Sequence, residues 1–261
     1  MDQESKLGRK LVSAMESSSL QLPESGLATA LPGEPILTPL VIVSPHYDDA
    51  VFSCGHLLAS TPGSTVLTVC TGLPEDSEIL TDWDERCGFR NAADAMRARA
   101  IENEEALAVL GAEGVNLDFL DSQYDQRPKS LEQLLGDTLG ASLTQLQPAS
   151  VCFPIGLFHE DHILISDVLM TICHHFSAIN WYAYEDIPYC KRPEWVGQRL
   201  HALSARGIAA SPHHLDVLSE SKWHAVSAYR SQFRGLGYED ATPVLRQPER
   251  YWKIHRSMEL L

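Results

Sequence analysis

The sequence is short of paired cysteines and of positive charge. None of its six cysteines forms a CxxC pair, and a chain of 261 residues needs no disulfide to stabilise its core. Lys and Arg number 20 against 35 Asp and Glu, which gives a net charge of −15. This deficit argues against non-specific binding of nucleic acid and against docking on anionic lipid.

Long apolar runs are also absent, so the sequence predicts no transmembrane segment. The first residues, Met1-Asp2-Gln3-Glu4-Ser5, precede no apolar stretch and do not resemble a signal peptide. With free cysteines expected throughout, we predict a reduced, cytoplasmic protein.

The turn-forming residues near position 35 divide the chain into two parts. Residues 1–35 are predicted to be an N-terminal extension, in which Lys6–Met15 has the pattern of a short amphipathic helix. Residues 36–261 are predicted to form the main domain.

Strand and helix patterns alternate along this domain. Strand patterns cover Leu40–Val43, Thr65–Cys70, Val115–Leu120, Val151–Phe153 and Trp181–Tyr184. Helix patterns cover Val51–Ser60, Asn91–Leu110, Leu131–Leu146 and His162–Phe176. Such alternation predicts an α/β fold with a Rossmann-like, mostly parallel sheet and helices on both faces, in which ligands bind at the carboxyl ends of strands.

One cluster of ionisable residues follows the first predicted strand directly. The segment reads Pro45-His46-Tyr47-Asp48-Asp49. Burying three such groups at a strand end costs desolvation, which a metal ion or a reacting proton would offset. A turn or a helix cap is the alternative explanation of a single His-x-x-Asp pattern.

A second cluster, His159-Glu160-Asp161-His162, follows the predicted strand Val151–Phe153. Together the clusters offer His46, Asp49 and His162, a ligand set that suits zinc with one position open. Asp48 is then available as a general base, and His159 as a second polar group facing the reacting centre. A His-x-x-His pattern by itself is again weak.

These motifs resemble those of the PIG-L/LmbE-like zinc-dependent N-deacetylases. Pro45 to Asp49, with Gly55 beyond, resembles the first motif of that family, and His159 to His162 resembles the second. Further similar segments, in chain order, are Arg99-Ala100-Ile101-Glu102, Leu117 to Asp121, Tyr184 to Tyr189 and Lys222-Trp223-His224-Ala225. Ala50 in place of the usual glutamate is typical of a bacterial branch of the family.

The resemblance implies a role for each matching residue. His46, Asp49 and His162 would bind one Zn²⁺ per chain, Asp48 would be the catalytic base, and His159 would stabilise the oxyanion or act as acid. Arg99 matches an arginine that in relatives can reach substrate hydroxyls, and we also expect Tyr47 and Asp161 to contact the substrate. Tyr47 stands where the family usually has proline. This difference puts in doubt which substrate fits the site more than which reaction is catalysed.

The implied function is hydrolysis of an acetyl or acyl group from the amide nitrogen of an amino sugar or its conjugate. Two alternatives stay open: a zinc amidohydrolase with a non-sugar N-acyl substrate, and a catalytically silent member that binds a glycan or a partner. The spacing of Glu102 and Arg99, one helical turn apart, also predicts an ion pair between them.

Overall fold

A computed structural model describes residues 34–124 and 130–255 of the chain. The strands are β1 (Leu40–Ser44), β2 (Thr65–Thr68), β3 (Glu113–Asn116), β4 (Ser150–Pro154), β5 (Asn180–Tyr184), β6 (Ala209–His213) and β7 (Tyr251–His255). The helices are α1 (Asp49–Ser60), α2 (Asp82–Cys87), α3 (Ala92–Leu110), α4 (Leu131–Leu146), α5 (Glu160–Ile172), α6 (Pro193–Ala205), α7 (Ser221–Val226), α8 (Arg230–Leu236) and α9 (Thr242–Leu245). Short 3₁₀ turns follow α5 and β5.

All seven strands lie in one sheet, in the order β3-β2-β1-β4-β5-β7-β6. The pairings from β3 to β5 are parallel, whereas β7 pairs antiparallel with both β5 and β6. The prediction of an α/β fold with a mostly parallel sheet is therefore confirmed.

The central strands β1 and β4 are buried along their whole length, as expected of parallel strands that helices cover on both faces. Their apolar, β-branched sequences bury Val41, Ile42 and Val151 almost completely. The strands and helices predicted between residues 40 and 184 are all present, but the third strand lies earlier in the sequence than expected. Asp118 adopts φ 62°, a left-handed conformation that an extended strand does not allow, so β3 ends at Asn116.

Helix α1, which follows the first cluster, contains a kink that distant residues stabilise. Cys54 has non-helical angles there, and the Glu249 carboxylate accepts from the backbone N–H of His56 at 2.8 Å. Lys222, which is fully buried, lies 2.6 Å from the same carboxylate. Its aliphatic stem passes over Gly55, where an added Cβ would lie 2.7 Å from Cγ of Lys222. Gly55 is therefore required by close packing.

Among the described residues, no helix is both long and apolar enough to cross a membrane. Most of the predicted N-terminal extension, including Lys6–Met15, lies outside the described residues, and its boundary near residue 35 stays a prediction.

Candidate metal centre

The two predicted clusters meet because their strands are neighbours. Strands β1 and β4 pair in parallel, with Leu40 opposite Ser150, so the loops that leave their carboxyl ends lie side by side. The first loop leads into α1 at Asp49, and the second into α5 at Glu160. The helix starts thus bring His46, Asp49 and His162 together.

These three residues offer one ligand atom each within a space suited to a metal ion. Oδ2 of Asp49 lies 3.1 Å from Nδ1 of His46 and 3.2 Å from Nε2 of His162, and all three ligand atoms lie within 4.8 Å of one another. Tetrahedral zinc with bonds of about 2.0–2.1 Å places its ligand atoms roughly 3.3 Å apart. The two distances from the Asp49 carboxylate match that separation, and the two histidines complete a ligand set that suits zinc.

The other ring nitrogen of each histidine faces a buried carboxylate. Nε2 of His46 lies 3.1 Å from Asp161, and Nδ1 of His162 lies 2.6 Å from Asp186. Such partners fix the orientation of a metal-binding imidazole and the nitrogen that it presents. Asp161 also accepts hydrogen bonds from the backbone N–H and the hydroxyl of Ser122, which holds it in place.

Without a metal, the same carboxylates retain protons on the histidines. Although burial alone would lower it, the pKa of His162 rises to about 9 because of Asp49 and Asp186. The pKa of His46 is likewise raised by Asp121, Asp161 and Asp49. Burial alone would raise the pKa of Asp49, but the two histidines hold it well below its usual range. A divalent cation bound here would therefore displace the two histidine protons and carry the same total charge as they do.

Asp48 lies beside this set but takes no part in it. It is half-buried, lines the adjacent cavity and makes no capping hydrogen bond at the start of α1. Burial and the neighbouring charge of Asp49 raise the pKa of the Asp48 carboxyl to about 6, although Arg99 opposes this. A carboxylate with such a pKa can both accept and return a proton near neutral pH.

His159 precedes α5 and lies against His46, with 4.9 Å between the ring centres. Its Nδ1 accepts a hydrogen bond of 3.2 Å from the backbone N–H of Asp161. Burial, together with His46 and His162, lowers the pKa of His159 to about 4. The neutral ring with Nδ1 as acceptor must carry its hydrogen on Nε2, which makes His159 a donor at neutral pH.

A cavity of about 170 Å³ opens onto these residues. Its lining includes five of the predicted residues: His46, Asp48, Asp49, Arg99 and His159. The remaining walls combine aromatic, aliphatic and amide side chains with one carboxylate: Trp83, Asp121, Gln123, Ile187, Pro188, Tyr189, Gln232 and Leu236. A larger groove of about 970 Å³ lies between α4 and α5, but none of the predicted catalytic or metal-binding residues lines it.

Arg99 is buried within α3 and pairs with a residue that follows β3. Its guanidinium lies 3.3 Å from Asp121, and its Nε has no hydrogen-bond partner among the described residues. The predicted pair between Arg99 and Glu102 is wrong, because Glu102 instead accepts two hydrogen bonds from Ser231. A spacing of three residues allowed that pair, but the packing of α8 on α3 provided Glu102 with another partner.

Two residues predicted to bind substrate do not line the cavity. Asp161 is buried behind His46, and Tyr47 is buried with its carbonyl accepting from the hydroxyl of Tyr229 at 3.0 Å. Asp186 and Asp121 were not predicted as site residues. Both follow the carboxyl ends of strands, a signal that would have identified them, whereas Gln232 on α8 has no comparable local signal.

Comparison with known proteins supports the relationship that the motifs suggest. The sequence profile of the family described as PIG-L, GlcNAc-PI de-N-acetylase, matches residues 41–173, slightly more than half of the chain. This match spans β1 to the end of α5, and so includes both clusters. No curated protein sequence matches the chain at a significant level.

Several solved structures share the fold. The A40926 pseudoaglycone deacetylase Dbv21 is 22% identical, with 83% of this chain and 97% of that chain covered and a TM-score of 0.67. The zinc-inhibited form of the teicoplanin deacetylase Orf2 is 22% identical, covering 84% and 99%, with a TM-score of 0.62.

The N,N'-diacetylchitobiose deacetylase from Pyrococcus horikoshii, solved with an inhibitor, is 17% identical. The alignment covers 83% of each chain, with a TM-score of 0.52. At these identities the likeness concerns the fold, while the match to the family profile is made by the sequence itself. The chain belongs to the PIG-L family of de-N-acetylases.

Proposed function

We propose that the protein is a zinc-dependent hydrolase that removes an acetyl or acyl group from the amide nitrogen of an amino sugar or its conjugate. The observation that carries this proposal is the ligand set of His46, Asp49 and His162 beside the carboxylate of Asp48, which lines the adjacent cavity. A metal site with an adjacent base at a cavity is what amide hydrolysis requires.

Zinc, bound one ion per chain by His46, Asp49 and His162, would polarise an amide carbonyl and acidify a water molecule. Asp48 takes the proton of the attacking water, because its pKa near 6 leaves it mostly ionised at neutral pH. The protonated Asp48 then returns this proton to the leaving amine. One carboxyl group thus serves as base and acid in turn.

His159 acts as a neutral hydrogen-bond donor in this scheme. Its Nε2–H stabilises the negative charge that develops on the amide oxygen, an interaction whose loss typically costs about 100- to 1000-fold in rate. Because its pKa is lowered to about 4, the His159 imidazole is neutral at neutral pH and cannot act as an acid. We therefore assign the acid role to Asp48 rather than to His159.

The other predicted residues have less direct roles. Arg99 lines the cavity, and its guanidinium N–H groups can donate hydrogen bonds to a substrate hydroxyl, so we retain it as a binding residue. Asp161 orients His46 through their 3.1 Å contact, and we propose this positioning role in place of substrate contact. The Tyr229 hydroxyl donates to the main-chain carbonyl of Tyr47 and so positions the backbone before Asp48.

The cavity favours a sugar as the acylated amine. Trp83 and Tyr189 provide aromatic faces for the apolar side of a pyranose ring, and Arg99, Gln123 and Gln232 provide polar groups for its hydroxyls. The similar solved structures are deacetylases of the A40926 pseudoaglycone, of teicoplanin and of N,N'-diacetylchitobiose. A non-sugar N-acyl substrate is the second candidate, and the complete set of metal and base residues argues against a silent binding protein.

The test is a screen for acetate release by the full chain, stripped of metal and then supplied with zinc. The probes are N-acetylated sugars in free, nucleotide-linked and lipid-linked form, beside N-acetylated amines without a sugar. We expect zinc-dependent release from at least one sugar probe and little from the simple amines. Release from the amines alone would favour the second candidate, and absence of both metal binding and hydrolysis would favour the silent protein.

A further inference from the structure

We propose that Gln232 is a specificity-determining residue, whose side-chain carbonyl accepts a hydrogen bond from a hydroxyl of the substrate. The proposal deepens the function proposed above and rests on it. It concerns the part of the cavity wall that α8 contributes, beside the residues that follow the strand ends.

Gln232 is an unusual residue to bury. Only 2% of it is exposed, although it lines the same cavity as Asp48 and Arg99. A buried amide group costs free energy unless its nitrogen and oxygen both find hydrogen-bond partners. The surroundings of Gln232 therefore determine what the cavity offers to a ligand.

A chain of hydrogen bonds decides which end of the amide faces Ser231. The Glu102 carboxylate accepts from the backbone N–H of Ser231 at 2.9 Å and from its hydroxyl at 2.6 Å. Because a carboxylate only accepts, the one hydroxyl proton of Ser231 points to Glu102. The hydroxyl oxygen can then only accept from Gln232, at 2.9 Å, which assigns that contact to the amide nitrogen.

The carbonyl oxygen of Gln232 is consequently left for the cavity. Within residues 34–124 and 130–255 it has no hydrogen-bond partner, and it is not among the buried polar atoms that are closed off from solvent. Its orientation is fixed by Ser231 rather than free to rotate. The wall therefore presents a preformed acceptor.

An acceptor in this position selects the chemistry of the ligand. A hydroxyl group donates to it, whereas a phosphate or a carboxylate has no proton to donate at neutral pH and is repelled by the carbonyl dipole. The guanidinium of Arg99, which lines the same cavity, supplies N–H donors there. Because a sugar hydroxyl both donates and accepts, the two walls together favour an uncharged, hydroxylated ring.

The experiment combines a variant with altered substrates. The probes are the methyl glycoside of N-acetylglucosamine and its 3-, 4- and 6-deoxy analogues, and the enzymes are the zinc-loaded wild type, Gln232→Met and Gln145→Met. Methionine keeps the length of glutamine but accepts hydrogen bonds only weakly. Gln145 is exposed on α4, away from the cavity, and Gln145→Met serves as the matched control.

We expect Gln232→Met to lower kcat/KM for the parent glycoside about tenfold, mostly through KM. For one deoxy analogue, kcat/KM should be about tenfold lower than for the parent glycoside with the wild type and with Gln145→Met. With Gln232→Met, kcat/KM for this analogue and for the parent should be the same. For each of the other analogues, the ratio of its kcat/KM to that of the parent glycoside should be the same in all three proteins. This coupling between one residue and one hydroxyl is a result that a merely structural role of Gln232 would not produce.

The alternatives give different results. Acetate release by the wild type, with equal losses for every analogue in all proteins, would overturn the role of Gln232 and leave the proposed function standing. No release from any probe in the wider screen would overturn both. If Gln232→Met does not fold, Ser231→Ala replaces it, because this variant removes the partner that fixes the Gln232 amide. The analogue that the wild type distinguishes should then show the same relative kcat/KM as the other analogues. A pattern unchanged from the wild type would overturn the proposal.

Discussion

Nδ1 of His162 donates to Oδ1 of Asp186 at 2.6 Å, and the second oxygen of the same carboxylate accepts from the backbone N–H of Gly156 at 3.0 Å. Asp186 thus connects His162, a candidate metal ligand on α5, to the loop after β4. Each of these two N–H donors needs an acceptor oxygen, and the two oxygens of one carboxylate provide both.

Asp186→Asn is expected to weaken zinc binding about 10- to 100-fold. The asparagine has one acceptor oxygen, so either His162 or Gly156 loses its partner. Competition with a zinc chelator measures the change. Asp167→Asn is the control, because Asp167 lies on the outer part of α5 and pairs with Arg199 and Arg206. Equal zinc affinity in Asp186→Asn and wild type would show that this contact does not support the metal.

The rate should depend on the ionisation of Asp48. With its pKa raised to about 6, Asp48 loses its function as a base as the pH falls through 6, so kcat/KM should fall about tenfold per pH unit below that value. His159, with a pKa lowered to about 4, should add no second decline between pH 5 and 8.

The measurement is kcat/KM of the zinc-saturated protein from pH 5 to 8, on a substrate found in the screen. His159→Gln should lower the plateau and keep the decline near pH 6, because it removes a donor and leaves the base. A decline that disappears in His159→Gln would assign the titrating group to His159 instead.

Two glycines in helices should respond oppositely to alanine. At Gly55 a Cβ would lie 2.7 Å from Lys222, whose ammonium is held by Glu249, so Gly55→Ala should destabilise the protein. At Gly140, in the interior of α4, a Cβ meets no atom within 4 Å. Gly140→Ala should stabilise the protein by roughly 0.5–1 kcal/mol, because alanine favours the helix.

Urea unfolding of both variants and the wild type compares the free energies of unfolding. A stable Gly55→Ala protein with unchanged zinc binding would mean that Lys222 can move aside without disturbing the kink in α1. The close contact would then have no energetic consequence.

Prediction from the sequence worked best where chemistry and chain position coincide. His46, Asp49 and His162 could be grouped because each follows a buried parallel strand, and such strand ends share one edge of a sheet. The shift of β3 could not be foreseen, because the left-handed conformation of Asp118 is set by contacts of the loop after the strand, such as its hydrogen bond to Thr71.

The far wall of the cavity escaped prediction for a different reason. Gln232 lies on a helix of seven residues whose position depends on packing against α2 and α3, far away in sequence. The partner of Glu102 depends on the same packing. Local patterns carry no information about such contacts, whereas they do carry the period of a strand or a helix.

The most direct test of the account measures zinc content and acetate release together for Asp48→Asn and His162→Ala. Asp48→Asn should retain about one zinc ion per chain and lose roughly 100- to 10,000-fold in rate, because it removes the base and leaves the ligands intact. His162→Ala should lose the metal and the activity together. Full activity in Asp48→Asn, or full zinc content in His162→Ala, would contradict the assignment of base and ligands to these residues.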